Sequence, residues 1–186
     1  MAYISQSLTF ESDKIHYTLD GETYEVMMNW EDPLMSASAA YICEGGGDIL
    51  EIGFGMGIAS GYIQQHTINS HTIIENHPDI IPKAQAWAAD KSNVTIVEGD
   101  WYDVKDTLST YDGLFLDTWG DQNMDKFSSS LSPLMKVGGK VTWWNSMTGS
   151  ENYYKIPNVT YDIHNVTPPS NCYFNHSQYY LPKKQM

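Results

Sequence analysis

The chain contains no arginine: all 10 of its basic residues are lysine, against 23 acidic ones, for a net charge of −13. That absence excludes a nucleic-acid-binding face, which needs clustered positive charge to neutralise phosphates. It also excludes any site that grips phosphate or carboxylate with a bidentate guanidinium fork. The acidic balance favours solubility and tolerates, or attracts, a cationic small molecule. Cysteine is scarce. Cys43 and Cys172 lie far apart without metal-ligand spacing and cannot staple a chain of 186 residues, which points to a reducing, cytoplasmic setting. No apolar run approaches the roughly 18 residues of a membrane span, and the first residues lack the regions of a secretory leader. His16, His66, His71, His77, His164 and His176 show no ligand spacing, so no metal is expected. A composition 41% hydrophobic and 13% aromatic describes a packed globule. The expected organisation is one domain over 1–186: a hairpin and helix over 1–46 covering a site, a core over 47–145, and a short β-hairpin over 146–186. The expected assembly is a monomer or homodimer.

Residues 14–28 read as a hairpin turning at Asp20-Gly21. Residues 31–43 read as a helix, with Pro33 near its start and Gly45-Gly46-Gly47 after it. From residue 48 short apolar runs alternate with helical stretches. Strands are expected at 48–52, 71–75, 94–98, 113–117 and 140–145, with helices near 57–66, 78–90, 102–108 and 123–136. A Gly138-Gly139 turn leads from the last helix into its strand. This alternation predicts right-handed βαβ units, hence an α/β fold with a mostly parallel sheet and helices on both faces. Residues 159–166 and 172–181 are β-rich and joined by a Pro168-Pro169 segment, a terminal hairpin that adds an antiparallel strand.

The most informative segment is the strand 48–52 running into Gly53, Gly55 and Gly57, with a helix after them. Glycines let the backbone turn sharply and approach a ligand closely. The spacing is G-x-G-x-G rather than the G-x-G-x-x-G of dinucleotide sites, which disfavours a nicotinamide dehydrogenase. Glu51 precedes the first glycine, where a phosphate cradle would not want a carboxylate and a cationic amino-acid ligand would. Glu75 ends the next strand, where an acid accepts both hydroxyls of a ribose. Asp100 ends the third, placed to take an adenine amino group while the adenine packs on Trp101. Three acids at successive strand ends beside a glycine loop describe a site for S-adenosylmethionine; the plainer alternative is three helix-capping acids. On the acceptor side, Asp117 emerges from the fourth strand and Glu31 sits at the start of the first helix, where a helix dipole also favours an acid.

Trp30-Glu31-Asp32-Pro33-Leu34-Met35 resembles the W-E-x-P-x-M motif of guanidinoacetate methyltransferases, which are class I, Rossmann-like enzymes. The stretch from Ile52 through Gly53, Phe54, Gly55, Met56 and Gly57 to Ala59 is similar to that family's glycine loop. Ile73-Ile74-Glu75-Asn76, Gly99-Asp100-Trp101 and Leu116-Asp117-Thr118-Trp119 continue the resemblance in order, and Pro168-Pro169 with Cys172-Tyr173 ends it. Val26-Met27-Met28-Asn29-Trp30-Glu31 is equally like protein arginine Nδ-methyltransferases.

The resemblance implies a seven-stranded sheet, S-adenosylmethionine as donor, S-adenosylhomocysteine as product and a guanidino acceptor that is a small cation. It makes Asp117 the base and Glu31 its partner on the guanidinium. Met27 and Met35 match methionines lining the donor pocket, and Glu75 the ribose acid. Main-chain amides of Ser146, Met147 and Thr148 stand where the family binds a substrate carboxylate, a mode that needs no arginine. The sequence departs from the family at Asp100, before Ile15, and in the short connection from Asn145 to Val159. Readings that share the same donor site are a methyltransferase for another small amine or amino acid, and a silent donor-binding module.

Overall fold

The structure, a computed structural model, describes residues 3–147, 153–170 and 172–186. Strands β1 (Thr9–Phe10), β2 (Lys14–Leu19) and β3 (Glu22–Met28) form a small antiparallel sheet. Between β2 and β3 both Asp20 (φ 53°) and Gly21 (φ 85°) are left-handed, the two-residue turn that matches strand twist. Helix α1 (Asp32–Ile42) carries Pro33 in its first turn, where a missing N–H leaves nothing unsatisfied. It buries Leu34, Met35, Ala39 and Ile42.

The rest alternates: β4 (Asp48–Ile52), α2 (Ile58–Ile63), β5 (Ser70–Glu75), α3 (Ile81–Ala88), β6 (Val94–Glu98), α4 (Trp101–Val104), β7 (Tyr111–Leu116), α5 (Phe127–Leu134), β8 (Met135–Trp143), β9 (Thr160–Asn165) and β10 (Gln178–Gln185). The seven-stranded sheet has the order β6-β5-β4-β7-β8-β10-β9. Strands β4 to β8 run parallel; β10 lies antiparallel to β8, and β9 antiparallel to β10. The mostly parallel sheet with antiparallel terminal strands is therefore as expected. Its central strands are largely apolar, as buried parallel strands tend to be: β4 buries Ile49, Leu50 and Ile52 beside Glu51, and β7 buries Leu114, Phe115 and Leu116. The chain steps from β4 out to β5 and β6, then returns to β7 on the other side of β4. Loops leaving the carboxyl ends of β4 and β7 diverge at that reversal and open a crevice.

Two expectations need correction. Helix α5 ends at Leu134, one residue after Pro133, and β8 begins at Met135, so Gly138-Gly139 lies inside a strand rather than in a turn before it. The register moves from Tyr111↔Met135 to Gly113↔Lys140, a bulge accommodated by Gly138 at φ 83°. The terminal hairpin is also displaced: its second strand is Gln178–Gln185, not 172–181. Phe174 instead packs with Leu34, Tyr179 and Leu181, with Trp30, Cys172 and Tyr173 against that cluster. Burial of these side chains on α1 outweighs their β propensity.

Candidate active site

The crevice is a cavity at the carboxyl ends of β4, β5 and β7, with Glu51, Glu75 and Asp117 in its lining. Its floor is the glycine loop. Gly53 has φ 95°, and a Cβ there would collide with the main-chain oxygen of Asp117. Gly55 has φ 53°, and a Cβ there would press on the sulfur of Met27. Both glycines line the cavity and neither has room for a side chain. Gly57, left-handed at the start of α2, packs behind the loop against the Phe54 ring rather than lining the cavity.

Of the expected donor residues, Met27, Glu51, Gly53, Phe54, Gly55, Glu75, Asn76, Trp101 and Asp117 line the cavity, as does Thr118. Glu75 accepts the main-chain N–H groups of Phe54 (3.0 Å), Asn76 (2.9 Å) and His77 (2.8 Å), which ties the tip of β5 to the glycine loop. Met35 is buried in the cluster beneath, with Met27 and Phe115.

Asp100, the expected adenine acid, sits between Gly99 and Trp101, which both line the cavity. It caps α4, accepting from the Tyr102 N–H (2.9 Å) and from Asn123 Nδ2 (3.0 Å), and it does not line the cavity. The capping alternative describes it. Asp100→Ala is therefore expected to cost about 1 kcal/mol of stability, as for other N-caps, and to leave S-adenosylhomocysteine affinity unchanged. Calorimetric titration and a melting curve check this; a tenfold affinity loss would restore the ligand role.

Sequence reasoning missed two residues that line the same wall. Asp121 accepts from Trp101 Nε1 (2.7 Å) and from the Asn123 N–H (2.6 Å), and so orients the indole. Tyr3 reaches in from a turn near the start of the chain, its ring 4.7 Å from His77. Asp121 stands four residues beyond Asp117, a signal visible in the sequence. Tyr3 carries no such signal, because its ring meets Tyr17 and His77, both distant along the chain.

On the acceptor side, Glu31 is only 2% exposed. It accepts from the Met28 N–H (3.2 Å) and from the Tyr173 hydroxyl. The Tyr173 ring lies 6.0 Å from both Trp119 and Trp144, which makes an aromatic wall. Burial pushes the Glu31 carboxyl well above its ordinary value and the charge of Asp117 adds to this, against the pull of the Met28 N–H. Burial likewise raises Asp117 to about 7, with Glu51 adding to it. The lysine ion pairs among the described residues all go to other acids: Glu44, Asp48, Asp90, Asp106, Asp112, Asp125 and Asp162. Three carboxylates thus converge with no lysine beside them, an arrangement that a cation relieves.

The expected carboxylate-binding amides are less clear-cut. The Met147 N–H is turned onto Asn145 Oδ1 (3.2 Å), Ser146 is exposed, and neither lines the cavity. Thr148 lies outside the described residues.

Residues 3–155 match the family model described as guanidinoacetate N-methyltransferase. The chain belongs to the guanidinoacetate N-methyltransferase family. It is also 33% identical, over 172 residues, to protein arginine N-methyltransferase 2 of Aspergillus fumigatus, covering 87% of this chain and 38% of that protein. The protein of the same name from Saccharomyces cerevisiae is 32% identical over 137 residues, covering 66% of this chain and 32% of that protein. The chain thus spans about two fifths or less of the length of these curated relatives. Among solved structures, N-methyltransferase NodS from Bradyrhizobium japonicum superposes with a TM-score of 0.64 at 15% identity, over 84% of this chain and 96% of that one. Precorrin-6y C5,15-methyltransferase from Geobacter metallireducens gives 0.62 at 14% identity, over 81% and 86%. These likenesses show the class I, Rossmann-like methyltransferase fold.

The family's cofactor is S-adenosylmethionine, and the residues present fit it. Gly53 and Gly55 put main chain without side chains in the cavity lining, the acid Glu75 lines it at the β5 tip, and Glu51 presents a buried carboxylate oxygen without a partner among the described residues. No helix among the described residues is long and apolar enough to cross a membrane.

Proposed function

We propose that this domain methylates a guanidino nitrogen of a small cationic acceptor of the guanidinoacetate type. The observation that carries the reading is the pair of buried Glu31 and half-buried Asp117, each raised by desolvation and each without a cationic partner among the described residues. Two such acids beside a donor cavity suit a planar cation with several N–H groups better than a simple ammonium ion. An arginine side chain offers the same group, and the name of the fungal relatives, protein arginine N-methyltransferase 2, favours it as the second reading.

When bound, S-adenosylmethionine supplies an electrophilic methyl group on a sulfonium. The chain's own residues do the rest. In the acceptor-free site Asp117 holds a proton for part of the time near neutral pH, since its carboxyl titrates at about 7. An arriving guanidinium favours the ionised form and displaces that proton. Glu31 and Asp117 then take its N–H groups, which fixes the plane of the cation and turns one nitrogen toward the donor cavity. A guanidinium has no free lone pair, so the attacking nitrogen must lose a proton as its bond to carbon forms. Asp117 lines the cavity and is placed to accept it. Tyr173 touches Glu31 and packs between Trp119 and Trp144.

The test follows release of S-adenosylhomocysteine with guanidinoacetate, free arginine, arginine-containing peptides and simple amines offered in parallel. Turnover with guanidinoacetate, and none with amines that lack the planar group, is the expected result. Turnover only with arginine peptides selects the second reading. Donor binding with no release on any acceptor would overturn both and leave a silent donor-binding module.

A further inference from the structure

Glu51 on β4 is 1% exposed and His71 on β5 is fully buried. The two strands are parallel with Ile49 opposite His71, so Glu51 and His71 share one face of the sheet, one diagonal step apart. His71 Nε2 stands 2.9 Å from Glu51 Oε2, and the hydroxyl of Ser60, on α2, stands 2.6 Å from the same oxygen. Behind the imidazole, Gln64 Nε2 stands 3.2 Å from His71 Nδ1. An amide nitrogen only donates, so Nδ1 accepts and the ring proton sits on Nε2, directed at Glu51. Serine, histidine and glutamate together suggest a hydrolytic triad, but the serine here donates to the carboxylate rather than to the imidazole and is fully buried, so no nucleophile is formed.

Both donors fall on one oxygen. The other, Oε1, is buried and has no partner among the described residues, although Glu51 lines the donor cavity. A buried carboxylate oxygen left unpaired is costly. It persists because Ser60 and His71 hold the group by its opposite oxygen and prevent the rotation that would satisfy both. The free atom is of the kind an ammonium group completes.

We propose that Gln64, His71 and Ser60 form a positioning chain that reserves Oε1 of Glu51 for the ammonium of the donor's amino-acid moiety. His71 touches no ligand; it acts through Glu51. This rests on the reading of the cavity as the donor site.

The test compares two ligands on the same protein. S-adenosylhomocysteine carries the amino-acid moiety, and methylthioadenosine lacks it while keeping adenine, ribose and sulfur. His71→Phe, which fills the space without a donor, is expected to weaken S-adenosylhomocysteine by about tenfold or more and to leave methylthioadenosine within twofold. Ser60→Ala should move the same ratio in the same direction, and it serves if His71→Phe does not fold. His71→Gln, which restores a donor, should recover most of the loss. Equal losses for both ligands would reduce His71 to a packing residue and overturn the proposal, as would no loss for either. If the wild-type protein binds neither ligand, it is the donor-site reading that fails.

Discussion

Asp117→Asn is expected to lower methyl transfer by roughly 10³-fold while changing S-adenosylhomocysteine affinity by less than threefold. The first number is the usual worth of a positioned general base, and asparagine keeps the shape but cannot take the proton. The second follows because Gly53, Gly55, Glu51 and Glu75 line the same cavity and are untouched by the substitution. The same substitution carries a stability signature. In the ligand-free fold the Asp117 carboxyl is raised from 3.8 to about 7, first by burial and then by Glu51. A carboxyl raised on folding holds its proton in the folded state when the unfolded chain has already lost it. Its ionisation therefore opposes folding as pH climbs from about 4 to about 7, and the penalty is complete above that window. Removing it should leave stability unchanged near pH 4 and raise it at pH 8, by roughly 4 kcal/mol at most. Single-turnover kinetics and melting curves at the two pH values check both parts. Unchanged turnover would remove Asp117 from the role of base, and a variant less stable than wild type at pH 8 would contradict its raised titration.

Gly53→Ala is expected to destabilise the fold by about 3–5 kcal/mol and to abolish donor binding. Two independent costs add. The residue is left-handed at φ 95°, a conformation that side chains adopt only with strain. Its new methyl would also collide with the main-chain oxygen of Asp117. That oxygen cannot retreat, because the Asp117 N–H is bonded to the Ile52 carbonyl (2.9 Å) and the Gly53 N–H to the Ile74 carbonyl (2.8 Å). The tips of β4, β5 and β7 would have to separate, and the crevice is built on those tips. Gly61→Ala is the control: Gly61 sits in α2, where an added methyl would meet nothing within 4 Å, and the change should stabilise by about 0.5–1 kcal/mol. Urea unfolding of the pair decides. A Gly53→Ala variant within about 1 kcal/mol of wild type would show that the loop adapts and that its glycines are not there for close approach.

Much of the architecture is legible in one dimension because the signals are local. Asp20-Gly21 specifies its turn by the φ angles the two residues tolerate. The strands β4, β5, β6 and β7 announce themselves as short apolar runs, each followed by a polar or glycine-rich turn. Glu31, Glu51, Glu75 and Asp117 stand where their chain positions suggest, since each sits at or near the end of an element whose limits local chemistry sets. Asp100 looked no different from these by position. Its carboxylate finds the Tyr102 N–H and the Asn123 amide close by, so one of its oxygens caps α4.

What the sequence determined by itself is the order and type of the elements and the glycine loop. It also determined that any carboxylate the site meets cannot be gripped by arginine, since the chain has none. What only the tertiary structure decided is which acids share a space and what each one touches. Tyr173 lies 142 residues from Glu31 along the chain yet donates to it. His71 reaches Glu51 across neighbouring strands and occupies one of its two oxygens. A carboxylate's affinity for a proton or a cation depends on burial and on the donors around it. Those are properties of packed neighbours, which no single stretch of chain contains.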